Sequence, residues 1–248
     1  YGKLTLRQSP TFKTEPELTH GLIAVSSSFK FTDSSISSPI DLSTAKFKQS
    51  SPNPESIGDI YSIYFKPDGR RVILMDDTSV NKIFQFDLSI PWDVSSLDTT
   101  KKGEFSVSSF ESSAYTMNLS MDGSYMFIVG AADDGINSFR LSTPFDITTA
   151  THERVMDSNL IAGGDDETLP SGIFVKPDGT KFYMMGLNRD TIQQYAVTGS
   201  LFNINSLVRE HEIRVNRSAD SCTDLQFTGD GSQMFVLSND DVVNTFSE

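Results

Sequence analysis

The pattern apolar-x-apolar-x-x-Asp-Gly occurs four times in this chain, and a short apolar segment follows each copy. The copies run from Ile63 to Gly69, Met117 to Gly123, Ile173 to Gly179 and Leu225 to Gly231. Successive Asp-Gly pairs lie 54, 56 and 52 residues apart. Self-similarity at a period of roughly 50 residues predicts a repeat architecture, in which each unit is one supersecondary module that packs on its neighbours.

The hydrophobic pattern around each Asp-Gly pair predicts antiparallel strands. Apolar residues alternate before the turn, as at Ile63 and Phe65, which is the period of a β-strand. Glycine adopts positive φ without steric cost, so Asp-Gly predicts a tight turn. The next segment is apolar at every position, as in residues 72–75, which predicts a strand covered on both faces.

A third and a fourth strand complete each unit. The third has the pattern Ile-x-x-aromatic, as at Ile83 and Phe86, and a loop of the form Ser-x-Pro-aromatic-Asp follows it. Fourth strands are predicted at residues 47–50, 105–109, 154–157 and 213–216. A four-stranded sheet whose second strand is covered on both faces must pack between similar sheets. Several such sheets around one axis form an all-β fold, the β-propeller.

The two ends of the chain predict how the ring closes. Val242 to Glu248 matches a third strand, whereas Gly2 to Ser9 reads as a fourth strand. Pairing them removes an exposed sheet edge. We therefore expect residues 1–248 to form a single domain, a five-bladed β-propeller of four-stranded antiparallel blades, with the N-terminal strand completing the last blade. The predicted blades span residues 10–51, 56–109, 112–158, 167–217, and 220–248 with 1–9. A six- or seven-bladed ring completed by further sequence is the alternative.

The charge balance narrows the range of partners. The formal net charge is −13 and the isoelectric point is about 4.6. Such a surface disfavours nucleic acid and anionic membranes, and it suits cations or a basic partner. No apolar run approaches the roughly 20 residues of a membrane span. The single cysteine, Cys222, excludes an internal disulfide and leaves the compartment open. The start at Tyr1 is expected either of a processed mature chain or of a portion of a longer one.

Two stretches resemble a known repeat type. They are residues 172–186, continuing through 190–195, and residues 85–95, which contain the Pro-Asp-Gly turn and the Ser-x-Pro-Trp-Asp loop. They are similar to Pro-Asp-Gly-type repeats in uncharacterised β-propeller proteins of bacteria, tailed phages and environmental viruses. More loosely, the turn resembles that of Tol-type and lactonase-type propellers. The resemblance covers most of residues 56–248. It implies a propeller of the virion or extracellular kind and names no activity.

Acidic residues are the main candidates for ligand binding. In propellers, the loop that leads into each blade and the loop between its second and third strands usually share the functional face. The predicted acidic residues near that face are Asp59, Glu111, Glu167, Asp220 and Asp224. Their oxygen atoms would suit a hard cation such as Ca²⁺, or a cationic partner; no cofactor is required. The repeated residues Asp134, Asp190 and Asp241 are interpreted as turn residues that satisfy their own backbone amides.

Two alternative functions remain open at this point. Trp92 and Phe145 occupy equivalent loops on the opposite face, where they would be either sugar platforms of a multivalent lectin or plugs between blades. A glycosidase or lactonase with one axial site would need two carboxylates about 5–10 Å apart. Asp224 paired with Glu167 or Asp220 is the arrangement that the chain offers, and no catalytic residue stands out.

The favoured function is a non-enzymatic structural or adhesive module. The missing catalytic constellation and the acidic, serine-rich surface support it, and the resemblance implies a virion or extracellular location. We expect protein partners in a larger assembly, or a surface glycan. Neither nucleic acid nor membrane insertion is expected.

Overall fold

The fold is described from a computed structural model of the chain. It describes residues 48–51, 54, 57–76, 81–132, 135–157, 169–186, 191–215, 222–228, 231–238 and 243–247. The strands of the first two sheets are β1 Ile60–Phe65, β2 Arg71–Asp76, β3 Lys82–Asp87, β4 Gly103–Ser106, β5 Ala114–Leu119, β6 Tyr125–Gly130, β7 Gly135–Leu141 and β8 Ala150–Asp157. The remaining strands are β9 Pro170–Val175, β10 Lys181–Gly186, β11 Thr191–Val197, β12 Leu207–Arg214, β13 Cys222–Phe227, β14 Gln233–Ser238 and β15 Val243–Ser247.

Within these residues the strands form four antiparallel sheets of consecutive strands. The first sheet is β1–β4, the second β5–β8, the third β9–β12 and the fourth β13–β15. The innermost strands β1, β5, β9 and β13 contact one another in that order, so the sheets are stacked side by side. The all-β class and the antiparallel meander are thus confirmed. The count of five blades is not confirmed by the described residues.

The hydrophobic core lies between successive sheets. In β6, Met126 and Ile128 pack toward the first sheet, whereas Phe127 and Val129 pack toward the third. Adjacent strand residues point to opposite faces, so both faces of β6 are buried. The prediction of a second strand covered on both sides is confirmed. Because neither face can be left in water, each sheet depends on its neighbours for stability.

The Asp-Gly pairs form hairpin turns, as predicted. In the first sheet, the N–H of Gly69 donates to the carbonyl of Lys66 at 2.8 Å, and the N–H of Lys66 donates to Arg71. Gly69 has φ of +69°, and the equivalent glycines lie between +69° and +77°. The Asp68 carboxylate accepts the N–H of Arg70 at 2.9 Å and so closes the turn from inside.

An aromatic ring covers the glycine of the turn in each of the first three sheets; it comes from the Ser-x-Pro-aromatic-Asp loop in the first two and from the weaker copy of that loop, Gly199 to Asn203, in the third. Trp92, Phe145 and Phe202 have φ of +62°, +59° and +62°. Each donates its backbone N–H to the carbonyl of Gly69, Gly123 or Gly179. A Cβ added to any of these glycines would lie closer than 3.0 Å to the ring. The turn and the loop therefore fit together only because the turn residue has no side chain.

The residue after each aromatic caps a short 3-10 turn. These turns are Val94–Ser96, Ile147–Thr149 and Ile204–Ser206. Their first residues are buried, and the side chains of Asp93, Asp146 and Asn203 accept backbone N–H groups two residues later. Side-chain capping is the ordinary role of Asp and Asn at such a position. The loop that the sequence marks by its aromatic-Asp pattern is thus an ordered structural unit.

The same loops connect neighbouring sheets. Gln85 in β3 donates from Nε2 to the Asp146 carboxylate at 3.2 Å, and its Oε1 accepts the N–H of Ile147 at 3.1 Å. Arg71 of the first sheet donates to the carbonyl of Phe145, and Tyr125 of the second sheet stacks on Phe202. The capped loops of the second and third sheets thus each pack against the sheet before their own.

The three described fourth strands all begin earlier than predicted, β4 by two residues and the other two by more. β8 starts at Ala150 and β12 at Leu207, directly after a 3-10 turn, whereas the sequence predicts starts at residues 154 and 213. Most residues of β12 are exposed, so the edge strand carries little of the alternation that marks a half-buried strand.

Much of the predicted first blade, and the predicted N-terminal strand 1–9, lie outside the described residues. Residues 48–50 are described, and Lys48 and Gln49 lie beside Asp93 of the first sheet. Hydrogen bonds from Ser95 and Gln49 and the charge of Lys48 lower the pKa of Asp93. The chain preceding the first sheet therefore contacts its capped loop.

The aromatic cover predicts unequal effects of one substitution at two glycines. Gly123→Ala and Gly231→Ala both place alanine at positive φ, which costs about 1 kcal/mol. At Gly123 the new methyl also meets the ring of Phe145, so we expect a further loss of roughly 1–3 kcal/mol. At Gly231 no described residue lies within 4 Å of the added carbon. Urea unfolding of both variants measures the difference, and equal losses would contradict the role of the ring.

Candidate functional site

The predicted acidic residues have very different environments. Asp59 is exposed, Glu111 is buried, and Asp224 lies near the start of β13 with partial exposure. The other predicted ligands, Glu167 and Asp220, lie outside the described residues, as do the predicted turn residues Asp134, Asp190 and Asp241. The three described members, Asp59, Glu111 and Asp224, do not form a group that could hold a metal ion. Their role in binding stays a prediction.

Glu111 joins the loop that leads into β5 to the turn after β6. Its Oε1 accepts the N–H of Ser113 at 2.9 Å and the N–H of Ala132 at 3.0 Å. Only 1% of the residue is exposed. A buried carboxylate that accepts two backbone N–H groups replaces the hydrogen bonds these groups lose with water. This geometry gives Glu111 a structural role at the predicted functional face.

Asp76 makes the reverse connection in the first sheet. It ends β2, is 2% exposed, and accepts the N–H of Gly58 at 2.9 Å. In one sheet the acidic residue thus lies in the loop before the first strand, and in the other at the end of the second strand. Each carboxylate joins the loop before the first strand of its own sheet to the end of that sheet's second strand or the turn after it. Two of the acidic residues at the predicted functional face, Glu111 and Asp76, therefore hold backbone N–H groups.

A second group of side chains lines up along the innermost strands. Ser62, Thr116, Gly172 and Asp224 each follow the register shift near the start of their strand. The hydroxyls of Ser62 and Thr116 are buried and lie 3.3 Å apart. A Cβ at Gly172 would lie 3.3 Å from the Asp224 Cα, so β9 passes close to β13 at this point. Because Asp224 has the same register position on its strand as Ser62 and Thr116, it belongs to the same row of innermost-strand residues as the two hydroxyls.

Asp224 is the acidic residue of this row with a distinctive ionisation. Burial raises the pKa of its carboxyl to about 6, and a hydrogen bond from the N–H of Leu225, at 2.8 Å, opposes that rise only in part. The residue keeps some solvent exposure, so the desolvation comes from the protein packed around the carboxyl. A carboxyl with this pKa can exchange a proton near neutral pH.

The aspartates of the hairpin turns behave in the opposite way. Although desolvation opposes ionisation, hydrogen bonds from Lys176, Thr180 and the Thr180 backbone lower the pKa of Asp178 to about 2. Lys66 and Asp68 form the equivalent ion pair at 2.8 Å. These carboxylates stay ionised and hold turns, as the sequence predicts for the Asp-Gly pairs.

The two predicted aromatic residues are not equivalent surfaces. Phe145 is 8% exposed and covered by its neighbours, with Lys66 Nζ lying 5.7 Å from the ring centroid. Trp92 is 38% exposed and rests on Gly69 and beside Phe65. Phe145 is thus buried where a sugar platform would be exposed, and the carbohydrate-binding prediction rests on Trp92.

Sequence reasoning missed the exposed aliphatic residues of the same loops. Ile90 is 57% exposed and Leu201 is 54% exposed. Ile90 lies two residues before Trp92, and Leu201 lies directly before Phe202. An aliphatic residue one or two positions before the aromatic of a polar loop is the signal that could have marked them.

Shallow grooves lie between neighbouring sheets, and each reaches a hairpin turn. One lies between the third and fourth sheets, with Tyr183, Gln194, His211, Ile213 and Gly231 in its lining and a volume of about 240 Å³.

Within the described ranges, no group of three or more His, Cys, Asp or Glu side chains converges as a metal ion would require. In that part of the chain, no helix has both the length and the apolar character that crossing a membrane requires.

No protein-family model matches the sequence, and no curated protein matches it. Solved structures do match the fold. A putative 6-phosphogluconolactonase from Bacteroides fragilis is 16% identical with a TM-score of 0.52, and the match covers 82% of this chain and 55% of that one. The Cps50 (Swd1) β-propeller domain of Myceliophteria thermophila is 15% identical with a TM-score of 0.54, over 84% of this chain and 56% of that one.

A chain of the mitotic checkpoint complex also matches. It is 8% identical with a TM-score of 0.52, over 77% of this chain and 51% of that one. The present chain spans about half the length of these structures. At such identities the similarity shows the fold alone, and that fold is a β-propeller.

The raised pKa predicts an unusual dependence of stability on pH at one residue. The folded-state pKa of Asp224, about 6, lies above the unfolded value near 4, so the native state binds the proton more tightly. The carboxylate therefore destabilises the fold increasingly from about pH 4 to above pH 6, by about 2 kcal/mol after allowance for its partial exposure. We expect Asp224→Asn to stabilise the protein at pH 8 and to change little at pH 4. Exposed Asp59→Asn is the control, and parallel pH profiles of wild type and Asp224→Asn would contradict the burial of this carboxyl.

Proposed function

We propose that this chain is a non-enzymatic structural or adhesive propeller module that binds protein partners in a larger assembly. The observation that carries the proposal is the exposed apolar surface on its capped loops. Ile90 and Trp92 lie within one loop of the first sheet, and Leu201 lies in the equivalent loop of the third. Exposed apolar groups close together favour an interaction surface, and tryptophan is enriched among the residues that dominate binding energy.

The backbone beneath these residues supports the proposal because it is already ordered. The Trp92 N–H donates to Gly69 at 2.9 Å, and Asp93 caps the following turn through the N–H of Ser95 at 3.0 Å. Ser96 Oγ adds bonds on both sides of the loop, including one from the N–H of Ile90. A loop fixed before binding loses less conformational entropy when a partner docks. The match to a chain of a multiprotein checkpoint complex agrees with such a role.

The setting of the module is also a proposal. An extracellular or virion location is supported by the resemblance of its repeats to those of phage and bacterial propellers. The net charge of −13 supports basic partner surfaces and, at the acidic face, Ca²⁺ as the bound cation. Asp59 is the described residue whose exposed carboxylate is available to such a cation.

The assembly is tested with variants of the apolar loop. The double change Ile90→Ser and Trp92→Ala removes the exposed apolar groups and leaves the buried core of the loop in place. Val208→Ser on β12 is the control, since Val208 is also 52% exposed but lies outside the loop. Tagged chains are expressed in the native source, and the assembly is isolated by sedimentation. We expect the double variant to fall roughly tenfold in the assembly fraction while the control stays. A wild-type chain found only as a dispersed monomer would overturn the proposal.

We further propose that residues 1–248 close into five blades, with residues 1–9 as the outer strand of the last. The contact of Lys48 and Gln49 with Asp93 supports a blade preceding the first sheet. On the proposed strand, Leu4 and Thr5 point to opposite faces. We expect Leu4→Glu to lower the thermal midpoint by several degrees more than Thr5→Glu, because only Leu4 would be buried. Equal midpoints, measured by circular dichroism, would overturn this closure.

A hydrolase with one axial site is the second candidate, and Asp224 is the observation that favours it. Its carboxyl lies in the row of innermost-strand residues and has a pKa of about 6, which suits a general acid or base. The Bacteroides fragilis structure described as a putative 6-phosphogluconolactonase gives this candidate a precedent of fold only. Turnover of a lactone or glycoside by wild type, lost in Asp224→Asn, would favour it over the structural module.

A further inference from the structure

One pair of facing residues beside the hairpin turn differs between the first and second sheets. In the first sheet the residue after the turn, Arg71, faces Asp87, and an ion pair of 2.8 Å from Nε joins them. In the second sheet the corresponding pair is Tyr125 and Arg140. The tyrosine thus takes the place of the arginine, and Arg140 takes the place of the carboxylate.

Arg140 is held in position by groups that carry no charge. Its Nη1 donates to the Tyr125 hydroxyl at 2.8 Å, and its Cζ lies 5.4 Å from the centroid of that ring. The residue is exposed, and no carboxylate in the described part of the chain forms an ion pair with it. The Asp122 carboxylate of the same hairpin accepts instead from Ser120 and Ser124. A guanidinium has five N–H donors, so Arg140 keeps donors for a ligand.

Apolar groups lie beside this guanidinium. The ring of Tyr125 stacks on Phe202 of the third sheet, with centroids 5.8 Å apart. Leu201, directly before Phe202, is 54% exposed. Pro144 has the corresponding place in the second sheet's loop, and it lines the groove between the first and second sheets. The repeat therefore places Leu201 where the second and third sheets meet. We call the surface of Tyr125, Arg140, Leu201 and Phe202 the arginine junction.

The arginine junction has an ordered backbone. The N–H of Phe202 donates to the carbonyl of Gly179 at 3.2 Å, and the Asn203 side chain caps the turn that follows. Both hairpin turns and both capped loops at this end of the second and third sheets lie within the described residues, at 120–124, 142–149, 176–179 and 199–206. A surface that is ordered before binding loses less conformational entropy when a partner docks.

A carboxylate close to an apolar side chain is the chemistry that fits this surface. A planar guanidinium binds a carboxylate through two parallel hydrogen bonds, and arginine and tyrosine are enriched at protein interfaces. In an extended peptide, residues i and i+2 project to the same side at a spacing of roughly 6.6 Å. This spacing is comparable with the 5.4 Å from Arg140 Cζ to the Tyr125 centroid and the 5.8 Å from there to the Phe202 centroid. The matching pattern is apolar-x-Asp or apolar-x-Glu.

The charge of the chain helps to identify the source of this carboxylate. The net charge of −13 opposes an acidic partner at long range, but charges more than roughly 8 Å apart are largely screened at physiological salt, so the adjacent guanidinium dominates. A second copy of the chain is a poor donor of the carboxylate. At its hairpin turns, Asp68, Asp122 and Asp178 each accept a backbone N–H of their own turn. These observations favour a separate polypeptide.

We propose that the arginine junction binds an extended acidic segment of a separate polypeptide, with the pattern apolar-x-Asp or apolar-x-Glu. The carboxylate binds the Arg140 guanidinium, and the apolar side chain packs on Leu201 and Phe202. This inference rests on the proposed function, because it names the chemistry of one partner of the interaction module. The junction is a different surface from the loop of Ile90 and Trp92, so variants of that loop leave it intact.

The electrostatic part is tested with a labelled peptide of three Leu-Ser-Glu repeats, titrated with the full chain in fluorescence anisotropy. We expect saturable binding that weakens roughly tenfold when every Glu of the peptide is Gln. Arg140→Gln should weaken binding of the Glu peptide by a similar factor and leave binding of the Gln peptide unchanged, because both changes remove the same contact. Arg214→Gln is the matched control, since Arg214 is also exposed but ends β12. Absence of binding, or losses that simply add, would overturn the proposal.

The apolar part is tested with Leu201→Ser, which should weaken binding of the Glu peptide and of the Gln peptide alike. Val208→Ser is the control, because Val208 is 52% exposed on the same sheet and lies outside the junction. Circular dichroism checks that both variants fold. Equal affinities of the two variants would refute the apolar contact and with it the proposed pattern.

Two further outcomes separate this inference from its alternatives. Sedimentation velocity that shows a wild-type dimer, dispersed by Arg140→Gln, would overturn the separate partner in favour of a second copy. If the peptide fails to bind while the chain still enters its native assembly, the junction is refuted and the structural role stands. A wild-type chain found only as a dispersed monomer overturns the structural role, whatever the peptide does.

Discussion

Burial of the second strand of each sheet on both faces is the constraint on which the rest of this structure depends. Val72 and Leu74 pack on one side of β2, and Ile73 and Met75 pack on the other. A single sheet can cover only one such face, so the units are stable only when they stand side by side. Side-by-side packing in turn brings the innermost strands together and places every hairpin turn on one rim. The axial row of Ser62, Thr116 and Asp224 and the rim of capped loops both follow from this packing.

An aromatic ring packs on the glycine of the hairpin turn in each of the first three sheets, and this packing makes the hairpin-turn end of those sheets rigid. Trp92, Phe145 and Phe202 hold left-handed backbone conformations, which cost free energy for any residue other than glycine. That cost is offset by the backbone bond to the glycine carbonyl, by the capped 3-10 turn and, for Phe145 and Phe202, by ring burial against the preceding sheet. The ring of Trp92 stays partly exposed. The first loop can therefore present apolar surface without losing order.

The fold could be predicted from the sequence because its signals are local and repeated. Alternation, Asp-Gly pairs and runs such as residues 182–185 each report on their own strand. The site could be predicted only in part, because it depends on contacts between units. Nothing local shows that Glu111 accepts the N–H of Ala132, 21 residues away, or that Asp76 takes the N–H of Gly58. The left-handed conformation of Phe145 is equally hidden, since it depends on a glycine in the preceding hairpin.

The same contacts decide which acidic residues are available for function. A net charge of −13 suggests many free carboxylates, yet those at the turns and at the loop junctions mostly hold backbone N–H groups. A carboxylate that accepts backbone N–H groups has fewer lone pairs left for a ligand. Asp224 differs because desolvation outweighs its single backbone bond. Charge count is therefore a poor guide to function in this propeller, and the distribution of backbone hydrogen bonds is the better one: among the described carboxylates it separates those that hold backbone from Asp224, whose ionisation is opposed by burial.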